Sequence, residues 1–269
     1  MDIMKRILGM GMVLAVLSLI GCGSDNASDE SGNSGNVTGV VPSLNQAAYI
    51  PGTTTYQFGY NSIPNMNITG APADVDWNRW AMLHDGTRYR LYFFQAGTND
   101  TIYQFAFNPA TSSYEFGFNS IPEMTITGAP ADADPSSFAM LHDGAHFRLY
   151  MRSQTASAIY QFAFNPATSD YEYGYNSIMR MDVTGAPADT DFDRWGMLHD
   201  GSVYRFYAFK GSLDNQMYQF GFNAATSDYE YGHQSIQLLT LDQIPANSDT
   251  SSFAMLHDGL DYRFYFLTM

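Results

Sequence analysis

The feature that most constrains this chain is a segment that occurs four times at a nearly constant interval. It reads aromatic-(Ala/Gly)-Met-Leu-His-Asp-Gly and, two residues later, aromatic-Arg-(Leu/Phe)-Tyr; its copies begin at Trp80, Phe138, Trp195 and Phe253. The histidines of successive copies are 58, 57 and 58 residues apart. Repeats of this length are typical of folds built from equivalent supersecondary units, each of which buries its apolar faces against its neighbours.

Each unit contains four runs of residues that favour β-strands. In the first complete unit these runs are 80–83, 89–94, 102–107 and 114–118. Asp85 and Gly86 join the first pair, and this dipeptide favours a tight hairpin because both residues tolerate positive φ. A variable loop and a short polar turn follow, and a long connection then leads to the next unit. This connectivity, an antiparallel meander with a crossover, is that of a β-propeller blade.

The repeat region both begins and ends in the middle of a unit. Its last copy stops after the second strand, whereas residues 46–63 align with residues 104–121, which form the third and fourth strands of the first complete unit. We therefore predict an all-β, four-bladed β-propeller over residues 44–269, with four antiparallel strands per blade. The last blade is expected to be closed by N- and C-terminal strands. An open solenoid would need atypical terminal repeats, and the sequence has none.

Alternation within the strands predicts how the blades pack. Tyr103, Phe105 and Phe107 point to one face of their strand, and Gln104 and Ala106 point to the other. We expect the aromatic face of one blade to cover the small-residue face of the next. A recurring polar set is interpreted as a cross-strand hydrogen-bonded row or, alternatively, as a repeated charged binding site. Its members are Arg90, Gln104 and Glu115, then Arg148, Gln161 and Glu172, then Arg205, Gln219 and Glu230.

These units resemble hemopexin-like repeats. The matching features are an inner strand that begins with an aromatic-Ala pair, a second strand rich in Tyr and Phe, a Tyr-x-Phe strand, and a Gly-aromatic-x-x-Ile segment such as 117–121. A Gly-Ala-Pro-Ala-Asp link then leads to the next unit. The resemblance covers about residues 45–269 and implies that family's four-bladed propeller. It does not transfer a function, because one fold carries many activities.

The N-terminal region carries a different signal. A basic start and an apolar stretch over 7–20 lead to Leu-Ile-Gly-Cys, which ends at Cys22. This pattern predicts a lipoprotein signal peptide and lipobox over residues 1–22, with Cys22 lipidated and inserted in a membrane. Gly23 after the cysteine is typical of sorting to the outer membrane of a Gram-negative bacterium. Residues 23–43 are rich in Gly, Ser, Asn and Asp, so we predict a disordered linker.

The net charge and the cysteine count limit the classes of partner and the covalent links that this protein is expected to have. The formal net charge is −15, which argues against binding nucleic acid, because a phosphate backbone is bound by basic surfaces. A single cysteine cannot form an internal disulfide. We expect a monomer in the cell envelope whose partners are the membrane, through Cys22, and an unknown protein or carbohydrate ligand.

Two recurring residue types are candidate ligand sites. His84, His142, His199 and His257 end the innermost strands, so four imidazoles near the propeller axis are a candidate site for a transition metal. The alternative is that each histidine only packs beside its turn; apart from this axial metal ion, no cofactor is expected. Acidic links between units supply a second candidate set for ligand binding. Its members are Asp74, Asp132, Asp189 and Asp249.

The sequence contains no recognisable catalytic motif such as Gly-x-Ser-x-Gly or His-Glu-x-x-His. The recurring glutamates occupy symmetric strand positions rather than an asymmetric acid and base pair. We therefore predict a lipid-anchored cell-envelope binding module without catalytic activity, which contacts a protein or glycan through the end that carries the variable loops and long links. The alternatives are a structural or assembly lipoprotein of an envelope complex and a glycan-active hydrolase.

Overall fold

The computed structural model describes residues 41–268, which form an all-β structure of 20 strands in one mixed sheet. The strands are β1 (Ser43–Tyr49), β2 (Thr55–Phe58), β3 (Asn67–Thr69), β4 (Val75–His84), β5 (Tyr89–Gln95), β6 (Thr101–Asn108), β7 (Ser113–Phe116), β8 (Glu123–Thr127), β9 (Ala133–His142), β10 (Phe147–Ser153), β11 (Ala158–Asn165), β12 (Asp170–Tyr173), β13 (Arg180–Thr184), β14 (Thr190–His199), β15 (Tyr204–Lys210), β16 (Gln216–Asn223), β17 (Asp228–Tyr231), β18 (Leu238–Asp242), β19 (Ser248–His257) and β20 (Tyr262–Thr268).

The sequence repeat corresponds to four groups of five strands, which we call repeat sheets. Repeat sheet 1 contains β4–β8, repeat sheet 2 contains β9–β13 and repeat sheet 3 contains β14–β18; repeat sheet 4 contains β19, β20, β1, β2 and β3. Within sheet 1, β4, β5, β6 and β7 pair in order and antiparallel. The Asp-Gly dipeptides form the hairpins between first and second strands, and Gly86 has the positive φ of 87° that such a turn needs.

The prediction of four strands per unit was wrong, because the long connection contains a fifth. β8 pairs antiparallel with β6 over Thr101–Tyr103, beyond the point where β7 has ended. The first strand is also longer than predicted, since β4 begins at Val75 rather than at Trp80. An irregularity between Asp76 and Trp80 separates its two halves. Alternation alone did not reveal these segments because they are short and interrupted.

The fifth strands connect one repeat sheet to the next. Ile126 and Thr127 of β8 pair in parallel with Tyr171 and Glu172 of β12 in sheet 2. The same parallel pairing joins β13 to β17, β18 to β2, and β3 to β7. Since β3 belongs to sheet 4 and β7 to sheet 1, this series of pairings returns to the sheet from which it started. The first strands follow the same order: β4 and β14 each contact both β9 and β19.

The two ends of the described chain meet in repeat sheet 4. β1 pairs antiparallel with β20, with Ser43 opposite Thr268 and Ala48 opposite Arg263. On its other edge β1 pairs with β2. The sequence alignment of the N-terminal region with the third and fourth strands of the repeat therefore predicted the position of β1 and β2 correctly.

The core lies between the repeat sheets. Four clusters of buried apolar residues join sheet 4 to 1, 1 to 2, 2 to 3 and 3 to 4. Phe105 and Trp80 of sheet 1 pack toward Leu256 of sheet 4. The opposite face of sheet 1 was predicted to carry mainly small side chains. It also carries Tyr92 and Phe94, which are buried against sheet 2. Large side chains on both faces interdigitate, so packing is not a simple match of large with small.

The predicted signal peptide, lipobox and Cys22 lie outside the described residues, as does most of the predicted linker. Residues 41–268 contain no helix with the length and apolar character required to cross a membrane.

Substituting Gly221 by Ala tests whether the segment after β17 approaches β16 as closely as the structure places it, and it sets this contact against the repeat consensus. The equivalent positions hold Ala106, Ala163 and Ala48, so the consensus alone predicts that alanine is tolerated or stabilising. A Cβ at position 221 would lie 2.0 Å from the carbonyl oxygen of His233. We expect Gly221→Ala to reduce the free energy of unfolding by about 1–3 kcal/mol, measured by urea denaturation. An unchanged or higher stability would contradict this arrangement of the backbone.

Candidate functional site

Four pockets lie between consecutive repeat sheets at equivalent positions of the sequence repeat. Named by the sheets that form them, pocket 1/2 has a volume of about 470 Å³, pocket 2/3 about 380 Å³, pocket 3/4 about 480 Å³ and pocket 4/1 about 80 Å³. One sheet supplies an arginine, a glutamine and an isoleucine, and the next supplies aromatic rings. In that pocket order the residues of the first sheet are Arg90, Gln104 and Ile121; Arg148, Gln161 and Ile178; Arg205, Gln219 and Ile236; and Arg263, Gln46 and Ile63.

The hairpin between the first and second strands positions the arginine. In pocket 1/2, Nε of Arg90 donates to Oδ2 of Asp85 at 2.7 Å. Oδ1 of Asp85 accepts two backbone N–H groups of its own turn at 2.9 and 2.7 Å. Nη1 of Arg90 donates to Oε1 of Gln104 at 3.0 Å and to the carbonyl oxygen of Asn119 at 3.2 Å. Nη2 makes no hydrogen bond within residues 41–268, so this group remains able to donate to a ligand.

Gln104 is the buried centre of the network. Its Nε2 donates to the hydroxyl of Tyr92 at 2.7 Å, and its Oε1 accepts the backbone N–H of Ile121 at 3.1 Å as well as the bond from Arg90. Asn119 adopts a φ of 45°, a left-handed conformation that asparagine tolerates better than most residues. This conformation directs the segment 117–121 across the edge of the pocket. Gln161, Gln219 and Gln46 make the corresponding bonds in the other three pockets.

The next repeat sheet forms the opposite wall with aromatic rings. In pocket 1/2 these rings belong to Phe147, Phe164 and Tyr171. The ring centroids of Phe164 and Tyr171 are 5.6 Å apart, and the guanidinium carbon of Arg90 lies 5.8 Å from the ring centroid of Phe147. Ile121, which is 37% exposed, lies at the rim. The pocket thus combines a broad apolar surface with fixed hydrogen-bonding groups.

The aspartates of the Asp-Gly turns remain ionised at neutral pH. Burial by itself raises the pKa of Asp143, but the hydrogen bonds from Arg148 and from two backbone N–H groups outweigh burial and hold the pKa at about 2. The pKa of Asp258 is about 2 for the same reasons, with Arg263 as the partner. Each arginine is therefore paired with a carboxylate, and the pair as a whole carries little net charge.

The four pockets differ in what the second terminal nitrogen of the arginine, Nη2, contacts. In pocket 4/1, Nη2 of Arg263 donates to Oδ2 of Asp261 at 3.0 Å, so every nitrogen of this guanidinium is occupied. In pocket 2/3, Nη2 of Arg148 lies 3.4 Å from Nδ1 of His146. The small volume and the saturated arginine of pocket 4/1 leave three pockets suited to a ligand.

The four predicted metal-site histidines each pack on an aromatic ring. The ring centroids of His84 and Tyr89 are 4.6 Å apart, and His142, His199 and His257 contact the aromatic residue that follows their own turn in the same way. Burial lowers the pKa of His84, so the neutral imidazole is favoured. Within residues 41–268, no group of three or more His, Cys, Asp or Glu side chains is arranged to hold a metal ion. The structure therefore favours the packing interpretation of the histidines.

The predicted ligand-binding aspartates make hydrogen bonds within the protein instead of gathering at one site. Asp74 accepts from Gln95 at 2.7 Å and from the hydroxyl of Tyr103 at 3.1 Å. Asp132 and Asp189 accept from the corresponding tyrosines at 2.8 Å. Asp249 was grouped with them in error, since the register places it at the position of Asp76, where it accepts a backbone N–H two residues ahead. These carboxylates stabilise the connections between strands.

The recurring polar row is only partly as predicted. Arg90 and Gln104 do bond across strands, but Glu115 does not join them. Its carboxylate accepts from Asn108 and from Thr111, at 3.0 and 2.6 Å, in the turn that precedes β7. Asp85 occupies the place in the network that was assigned to the glutamate. Glu172 and Glu230 likewise bond within their own turns.

The variable loops lie at the opposite end of the second strands from the four pockets. The later part of each long link shares this end with the variable loop, because Val75 pairs with Gln95. The link begins at the opposite end, where residues such as Asn119 line a pocket, so the expectation that long links and variable loops share one end holds only in part. One variable loop lines a cavity of about 290 Å³ together with Phe192 and Phe206. The four pockets that recur with the sequence repeat therefore lie at the other end of the second strands.

Sequence reasoning identified the arginine and glutamine but missed that they line pockets. The missing partners belong to the next repeat sheet, about 57 residues along the chain, and no local pattern joins the two sets. The one available signal was the recurrence of an apolar residue after Asn-Ser or Gln-Ser, at Ile63, Ile121, Ile178 and Ile236, each of which is at least 36% exposed. A single exposed isoleucine is ordinary, but here the same position is exposed in every repeat and lines a pocket each time.

No protein-family model matches the chain, and no curated protein matches it. One solved structure with a detectable likeness is a Bacteroides fragilis protein named as a candidate 6-phosphogluconolactonase. The two chains are 12% identical with a TM-score of 0.30, and the alignment covers 71% of this chain and 51% of that one. The major Malassezia sympodialis allergen Mala s 1 has 9% identity and a TM-score of 0.35, covering 77% and 83% of the two chains. AofleA from Arthrobotrys oligospora has 12% identity and a TM-score of 0.30, covering 69% and 48%. The chain therefore spans about half the length of two of these three structures, and no activity follows from likenesses this weak.

The turn aspartates predict a defined loss of stability in acid. The native pKa values of Asp143 and Asp258 are about 2, below the value of 3.8 for a free aspartate. A carboxyl group whose pKa is lowered by folding stabilises the native state above its unfolded pKa, and this contribution disappears as pH falls toward the native pKa. We expect the free energy of unfolding, measured in urea, to fall steeply between about pH 4 and pH 2.

The double variant Asp143→Asn and Asp258→Asn is the matched control. It should be less stable than the parent at pH 7, because two arginines lose their carboxylate partners. Its stability should also depend less on pH below 4. Equal acid dependence of the two proteins would show that other groups control unfolding.

Proposed function

We propose that this protein is a carbohydrate-binding module built on a four-bladed β-propeller, and that it binds sugar rings in the pockets between its blades. The observation that carries the proposal is the repeated pairing of a fixed arginine and glutamine on one repeat sheet with aromatic rings on the next. Pocket 1/2 shows this pairing with Arg90 and Gln104 facing Phe147, Phe164 and Tyr171.

The strand pairings support the propeller. The fifth-strand links run from each repeat sheet to the next and return from sheet 4 to sheet 1. The first strands β4, β9, β14 and β19 contact one another in the same cyclic order, as the innermost strands of four blades would. The antiparallel pairing of β1 with β20 is the pairing expected of a last blade built from strands distant in the sequence.

The chemistry of the pockets suits a pyranose ring. Such a ring has an apolar face of C–H groups and a periphery of hydroxyls, so it is recognised by an aromatic or aliphatic surface together with oriented donors and acceptors. Pocket 3/4 offers Tyr49, Tyr262 and Ile236 for the apolar face. Arg205 supplies a donor, since its Nε and Nη1 are bonded within the protein and its Nη2 is not bonded within residues 41–268. Because Arg205 is paired with Asp200 at 3.1 Å, the site does not demand a charged ligand.

Three roomy pockets on one module favour a polymeric ligand. Single sugar rings bind weakly, but a chain or a surface that presents many copies of one sugar engages several pockets, and the effective concentration at the second pocket raises the overall affinity. The proposal retains the predicted lipid anchor at Cys22, which would hold the module at the cell envelope. A glycan at that surface is then the natural ligand.

We propose binding without catalysis for this module. The carboxylates nearest the pockets, such as Asp85 and Asp143, are bonded to arginines and backbone N–H groups. Glu115 and its equivalents accept hydrogen bonds from Asn and Thr side chains of their own turns. These arrangements support a static recognition surface better than a general acid or base, which needs a carboxyl group free to exchange a proton with the substrate.

The proposal predicts saccharide binding with a stoichiometry of three per chain. A glycan array would identify the preferred sugar, and isothermal titration calorimetry with its methyl glycoside would give the affinity and the number of sites. The triple variant Ile121→Ala, Ile178→Ala and Ile236→Ala removes the exposed apolar rims of the three large pockets. We expect its affinity to be about tenfold lower, equivalent to about 1.4 kcal/mol.

Ile63→Ala is the matched control, because Ile63 occupies the same position beside the small pocket 4/1. This variant should bind like the parent, and thermal unfolding should confirm that all variants remain folded. Absence of binding to every glycan, or an equal effect of the control and the triple variant, would exclude the proposed pockets.

A further inference from the structure

We propose that pocket 1/2 selects an acidic sugar, of the uronic acid class, through a second arginine, Arg88; this inference rests on the proposed carbohydrate-binding function. The residue two positions before the pocket arginine differs in all four repeats. It is Arg88, His146, Val203 and Asp261 in repeat sheets 1 to 4. These residues range from a permanent cation to an anion, and they occur on a backbone that is otherwise repeated.

The backbone at this position is held in the same way in each repeat, so only the side chain changes. The backbone N–H of Arg88 donates to Asp85 at 2.7 Å, and that of His146 donates to Asp143 at 2.7 Å. The corresponding bonds of Val203 and Asp261 are both 2.8 Å. The position therefore varies the charge beside a pocket without altering the pocket's frame.

Arg88 lines pocket 1/2 together with Arg90. Arg88 is exposed, and its guanidinium has no hydrogen bond or ion pair with any residue from 41 to 268. Nη2 of Arg90 is likewise not bonded within that part of the chain. The two guanidinium groups face only one carboxylate at this turn, that of Asp85, so the pocket is locally cationic in a protein whose net charge is −15.

A carboxylate on a sugar ring matches this arrangement. Guanidinium groups bind carboxylates through charge-assisted hydrogen bonds, which are shorter and stronger than bonds between neutral groups. The wall residue here is Phe147, whereas the other repeats have Tyr204, Tyr262 and Tyr89. Tyr89 and Tyr262 donate hydroxyl bonds to the turn aspartate of the preceding repeat sheet. Phe147 has no hydroxyl, so it leaves the arginine side of pocket 1/2 to the ligand.

Pocket 3/4 is the natural comparison within the same molecule. Its volume of about 480 Å³ is close to the 470 Å³ of pocket 1/2, and it has the same arginine and glutamine. Val203 replaces the second arginine there. The two pockets therefore present nearly the same space with different charge, which predicts that both take a neutral ring and that only pocket 1/2 gains from a carboxylate.

The test uses matched methyl glycosides of neutral hexoses and of the uronic acids with the same ring stereochemistry, namely the gluco, galacto and manno pairs. Isothermal titration calorimetry is performed on the purified parent protein and on Arg88→Val and Val203→Arg. For the stereochemistry that binds, the parent should have one site at which the uronate binds at least tenfold more tightly than the neutral sugar. Arg88→Val should remove this preference, so that the uronate binds no more tightly than the neutral sugar of the same stereochemistry. Val203→Arg should create a second uronate site.

The outcomes separate this inference from the function on which it rests. Neutral and acidic glycosides bound equally by the parent, or a uronate preference that survives Arg88→Val, would overturn the role of Arg88 while the carbohydrate-binding function stands. Absence of binding by every glycoside in all three proteins would overturn the function itself. The uronate preference should also weaken with added salt, as a charge-assisted contact does, whereas neutral binding should not; a preference that salt does not change would contradict the proposed ion pair.

Discussion

Each repeat sheet has two apolar faces, and the need to cover both of them governs the structure. A single sheet of this kind cannot be stable alone, because one face would remain in water. The four core clusters show that every sheet packs on two neighbours, with sheet 4 contacting sheet 1. The parallel pairings of the fifth strands add backbone hydrogen bonds along the same boundaries. These boundaries are also where the pockets occur, so the surface that stabilises the fold also forms the candidate site.

The Asp-Gly turn links the stability of the fold to the chemistry of the pocket. Asp85 completes its own turn through two backbone N–H groups and at the same time fixes Arg90. A partly buried ion pair contributes little net stability when its desolvation is included. Its persistence in all four repeats is better explained by orientation, since it holds one guanidinium edge toward the glutamine and the other toward the pocket. Recognition then needs no rearrangement of the arginine when a ligand arrives.

The sequence predicted the repeat, the strands of the meander and the pairing of the chain's two ends, because aromatic alternation and the Asp-Gly signal are local. It did not predict β8, whose five residues pair with β6 at one end and with β12 at the other. It also misjudged Glu115 and Asp249, since facing direction and register decide their partners. The pockets could not be predicted from local sequence patterns, because their walls come from distant segments. Arg90 and Tyr171 are 81 residues apart and line one pocket only because two repeat sheets pack together.

Because Ser43 and Thr268 are opposite each other in the register of β1 and β20, the order in which the repeats are threaded matters little to the final structure. A short linker between these ends, together with a new break in an exposed turn between two repeats, would give a circular permutant with the same contacts. In such a chain every repeat sheet would be continuous. The natural arrangement instead makes repeat sheet 4, and with it pockets 3/4 and 4/1, depend on the pairing of β1 with β20, two strands that are more than 200 residues apart in the sequence.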